Sequence, residues 1–94
     1  MKLWVSDSDF DVTPGDVLAA TCKETTATWQ FRVCGNNHIL LYLEHLSGPD
    51  LFDGVKLLYP ALYVTDRFGV TQEVMLGEEI TLEGKPVWGF VPVI

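Results

Sequence analysis

The chain has 94 residues, 48% of them hydrophobic, and a net charge of −7 from thirteen acidic and six basic side chains. That length holds a single domain, 1–94, and that apolar content excludes intrinsic disorder. Nucleic-acid backbones and anionic lipid are held by Lys and Arg clusters, which this chain lacks, so direct nucleic-acid and membrane-surface binding are both excluded as first readings.

The N-terminal apolar stretch ends at Asp7, too short for a signal peptide, and no run reaches membrane-spanning length. The expected location is therefore cytoplasmic. Residues 3–6 are a predicted first strand. Residues 7–16 are a loop with a turn at Pro14-Gly15. Asp7, Asp9 and Asp11 alternate in it like the start of a calcium loop. Val12 and Leu18 stand where an EF-hand needs Gly and Glu, so the motif fails.

Residues 17–23 form the next predicted strand. Residues 27–34 give the clearest signal: Ala27, Trp29, Phe31 and Val33 alternate with Thr28, Gln30, Arg32 and Cys34. A period of two puts the aromatics on a buried face. Pairing around residues 24–27 sets Cys22 opposite Trp29 on the core side. A three-residue loop at 35–37 then leads into strand 38–45. It predicts Val33 opposite Ile39, Phe31 opposite Leu41 and Trp29 opposite Leu43, with all six on one face.

Residues 46–60 read as a loop or as one short helix around 49–58, interrupted by Gly54 and stopped by Pro60. Strands follow at 61–65 and 70–76. Residues 79–83 and 87–91 form a last hairpin around Gly84-Lys85-Pro86. Strands at this spacing predict an all-β fold, a small antiparallel β-sandwich or SH3-like barrel of six to eight strands.

Cys22 and Cys34 fall on opposite faces, which forbids a disulfide and predicts two free thiols. Cys34 faces His38 across the turn, a pairing that can activate a thiol, but no orienting third group accompanies it. Cys22, Cys34, His38 and His45 lack the close ligand pairs of structural zinc. No phosphate loop or nucleophile motif occurs. The expectation is a protein that is not an enzyme, with no catalytic, cofactor or metal residues.

Contact residues are sought instead. Strand 87–91 is apolar on both faces, with Trp88 and Phe90 together on one of them. It is either central or, flanked by Pro86 and Pro92, an edge with exposed aromatics. Candidate protein contacts are Trp88, Phe90, Asp7, Asp9, Asp11, Glu78 and Glu79. In size and lack of catalytic motifs the chain resembles small accessory proteins of bacteria or bacteriophage. The expected role is inhibition of a protein partner by occupying its basic, nucleic-acid-binding surface. Two alternatives stand beside it: an assembly subunit forming homo-oligomers through an apolar edge strand, and a small-ligand or cation-binding barrel.

Overall fold

Alternation decides the faces. Leu18, Ala20 and Cys22 are buried in β1 (Val17–Cys22), while Val17, Ala19 and Thr21 are exposed. Trp29, Phe31 and Val33 do the same in β2 (Thr28–Asn36), and Leu41 and Leu43 in β3 (Leu41–Ser47). A computed structural model describes residues 10–36, 40–51, 59 and 61–93. It adds β4 (Leu62–Thr65), β5 (Thr71–Leu82) and β6 (Lys85–Pro92). The predicted strand at 3–6 and most of the predicted helix around 49–58 lie outside the described residues, among which there is no helix.

The six strands close into an antiparallel barrel in the order β1-β2-β3-β6-β5-β4. The fold is the barrel of the two predicted alternatives, consistent with an SH3-like barrel, and not the sandwich. Two three-stranded meanders, β1-β2-β3 and β4-β5-β6, join through β1·β4 and β3·β6. Inside, the Phe31 and Phe90 rings meet at a 60° tilt, 5.3 Å between centroids, in a core with Trp29, Leu18, Leu41, Leu43, Val64 and Val74. Each such side chain contributes about 1.5–3 kcal/mol by leaving water.

The register differs from the expected one. Phe31 faces His45 instead of Leu41, and Val33 faces Leu43 instead of Ile39, because the ladder runs on to Asn36↔Leu41. The shift at these positions is even, so both apolar faces still meet. Irregularities at Cys34 and Leu46 absorb the remaining mismatch. Ala20, not Cys22, faces Trp29.

Strands expected at 70–76 and 79–83 are one strand, β5. Gly77 and Glu78 together oppose Gly89, a bulge that lets β5 pair with β4 at one end and β6 along the rest. A Cβ on Gly77 would stand 2.9 Å from the Gly89 carbonyl oxygen, so the bulge needs glycine there. The β5–β6 turn is Glu83-Gly84, both with positive φ (53° and 80°), as a two-residue hairpin of the right twist requires. It lies just before the expected Gly84-Lys85-Pro86.

Trp88 and Phe90 are core residues, 6% and 0% exposed. Of the two readings of strand 87–91 the central one holds, and the two rings form no exposed contact face. β6 pairs with β3 through Leu41↔Phe90 and Leu43↔Trp88, and with β5 on its other side, so this stretch is no edge. Barrel closure removes the apolar edge strand on which the assembly alternative depended.

Candidate functional site

The β3·β6 ladder stops at Leu43↔Trp88. In step, the next pairs would be Glu44 with Val87 and His45 with Pro86. Proline has no N–H to give, so a His45–Pro86 pair could keep only one of its two ladder bonds, and the ladder ends before it. Residues 85–87 of β6 stay paired to β5, while Glu44 and His45 stay paired to β2. The strands part, and a cleft of about 650 Å³ opens between them.

Its lining is Glu44, His45, Asp50, Leu51, Glu79, Lys85, Pro86 and Trp88. Three carboxylates thus face one ammonium. Glu44 also accepts a bond from Arg32 at 3.0 Å, directly across the β2·β3 ladder. Such a half-exposed pair is worth about 0.2–1 kcal/mol and fixes orientation more than stability. His45 places Nε2 3.2 Å from the Gly48 carbonyl oxygen and its ring 6.1 Å from that of Phe31.

The segment beside the cleft is latched to the barrel. Trp29 Nε1 donates to the Pro49 carbonyl at 2.9 Å, and Tyr59 meets the Trp29 ring edge-on at 5.0 Å. This holds Asp50 and Leu51 at the rim.

A second depression of about 280 Å³ shares Glu44 and Lys85 with the first and contains Cys34. Cys22 and Cys34 are both free thiols, one buried and one half-buried. Burial pushes the Cys34 thiol above its ordinary pKa, and the Glu44 carboxylate adds to this; a backbone hydrogen bond from Glu44 and the charges of Arg32 and Lys85 only partly oppose it. A raised pKa is the reverse of what a thiolate nucleophile needs. His38, its expected neighbour, lies outside the described residues. Alkylation of Cys34 should reach half its maximal rate above the roughly pH 8.5 of a free thiol; half-maximal alkylation well below that pH would contradict this environment.

Of the predicted contacts, Glu78 and Glu79 are exposed on β5, and Glu79 borders the cleft. Trp88 reaches the same cleft as its floor, whereas Phe90 does not. Asp7 and Asp9 lie outside the described residues. Asp11 is half-buried, with its carboxylate 3.8 Å from Arg67 Nη2. Among the described residues no three His, Cys, Asp or Glu side chains cluster as metal ligands, and no helix is long and apolar enough to cross a membrane.

Asp66 reads in the sequence as the start of a turn at 66–69; its burial at the β4–β5 turn is what the sequence does not show. Its Oδ1 accepts the N–H groups of Phe68 and Val70, each at 2.8 Å, and its Oδ2 accepts that of Asp11 at 2.9 Å. Burial alone would raise its pKa. The Asp11, Val70 and Phe68 amides and the Arg67 guanidinium outweigh that and hold the carboxyl below its ordinary value. Its neighbour Arg67 donates to Asp16 at 2.7 Å. Asp66 thus ties residue 11 to the turn at 66–70. No family model, no curated protein and no solved structure matches this chain.

Proposed function

We propose that this protein is a small, acidic, non-enzymatic interaction module that inhibits a cytoplasmic protein partner by covering its basic, nucleic-acid-binding surface. The observation that carries this reading is uncompensated charge on one hairpin. Glu78, Glu79 and Glu83 are exposed along β5 and its turn, and among the described residues they form no ion pair. Both arginines are already engaged by the chain's own carboxylates, Arg32 by Glu44 and Arg67 by Asp16. The hairpin therefore presents negative charge with only Lys85 beside it, which favours basic partners and speeds encounter.

Affinity capture from the producing cells at low and high salt tests this, with wild type beside the triple variant E78Q/E79Q/E83Q. Substitutions at such exposed positions change stability by only about 0.5 kcal/mol, so lost capture reports contact. A basic, nucleic-acid-binding protein should be enriched at low salt, with enrichment falling about tenfold or more in the variant. Enrichment indifferent to both salt and the variant would contradict the proposal.

The volume of the cleft favours a second reading, a small-ligand site, since such sites span about 300–1,000 Å³. Its lining is mostly charged or polar, where ligand pockets are mainly apolar.

A further inference from the structure

We infer that the partner enters the cleft as an extended, basic segment that adds a strand to β3 at residues 44–47. This rests on the interaction reading above and specifies how contact is made. Among the described residues, β3 beyond Leu43 has a ladder partner only in β2. Alternate residues there turn N–H and C=O groups away from β2, the template an added strand uses. The four residues offer an edge of roughly 14 Å at about 3.4 Å each. Across the cleft, Pro86 deprives β6 of a donor, which weakens any pairing of β6 with this part of β3.

The chemistry around this edge selects the occupant. Successive side chains of an added strand point to opposite faces. One set would lie over Trp88 and Leu51, which calls for apolar residues. Glu79 is the cross-strand partner of Trp88 and shares its face, while Glu44 lies on the other; the cleft as a whole sets the carboxylates of Glu44, Asp50 and Glu79 against the single ammonium of Lys85. A segment that combines apolar residues with Lys or Arg fits this lining, and an acidic segment is repelled.

The test uses the whole chain and a set of octapeptides alternating Lys or Arg with Val or Thr. By nuclear magnetic resonance, the outward amides of residues 44–47 should exchange rapidly in the free protein and become protected when a peptide of the set binds. N-methylation of the peptide nitrogens that face β3 should weaken binding about tenfold or more, and methylation of the alternate nitrogens should do little. Amides already protected in the free chain would show the edge covered by the chain itself and overturn the inference. Binding equally tolerant of either methylation pattern would also overturn it, leaving a contact made by charge alone. If no peptide binds while capture still enriches a basic partner, strand addition fails and the interaction reading survives. If capture fails too, both fall.

Discussion

Replacing Asp66 by alanine is expected to destabilise the barrel by about 2–4 kcal/mol at neutral pH, because three part-buried amides would lose their acceptor at once and each bond to a charged group contributes about 1–3 kcal/mol. The amides of Phe68 and Val70 would lose the turn, and that of Asp11 would lose the tie between the N-terminal segment and β4. Against a total of about 5–15 kcal/mol for a domain, this is a large fraction of the stability. The milder Asp66→Asn variant separates charge from shape. Its oxygen still serves Phe68 and Val70, but its NH₂ would confront the Asp11 N–H, at a cost of about 1–3 kcal/mol.

The pH dependence has a defined sign. The folded state holds the Asp66 pKa below its ordinary value, so the carboxylate's contribution is complete above the unfolded value of about 3.9. It is lost as pH falls from there through the depressed folded value. Urea denaturation at pH 7 and pH 3 should therefore show wild type and Asp66→Asn converging in acid. A gap between them that is equal at both pH values would exclude this role for the carboxylate.

Gly48→Ala is the second large effect, at about 3–5 kcal/mol. Gly48 has φ +107°, where an L side chain costs about 1–3 kcal/mol. The added Cβ would also meet the Thr28 carbonyl oxygen and stand 2.8 Å from Trp29 Cδ1 and 2.9 Å from Trp29 Cα. Those neighbours belong to β2 and to the ring that holds Pro49, so relief must shift either the barrel wall or the latch. Two controls divide the cost. Gly69→Ala has φ +86° with open space around it and should show strain alone. Gly35→Ala has neither strain nor clash and should stay within about 0.5 kcal/mol. Thermal melts of the three should rank Gly48 well below Gly69, and Gly69 below Gly35. Equal melting temperatures for the first two would remove the clash.

Local patterns were legible in the sequence, and pairings across the barrel were not. The alternation at 27–34 identified β2, its buried face and the partition of Cys22 from Cys34, because all of these depend on period alone. The same pattern could not reveal that Cys34 and Leu46 are bulge positions, so the register was set four residues away. Gly77-Glu78 read as a break between strands because a bulge and a turn share glycine as a signal. Pro86 marked an edge in part. It ends one ladder and opens a cleft, while Trp88 and Phe90 a few residues on are sealed between two strands. Asp66 was recognisable as a turn residue, but its bond to an amide 55 positions away was not. The cleft depends on where β3 and β6 part, which no local pattern encodes.

Inhibition by covering a basic surface is tested most directly by displacement. The captured partner is bound to a labelled nucleic acid at low salt, and this protein is titrated into the complex while fluorescence anisotropy follows the label. Release of the nucleic acid near one equivalent is predicted, weakened about tenfold or more by E78Q/E79Q/E83Q and by raised salt. A stable ternary complex, with the label still bound at saturating protein, would contradict the proposal.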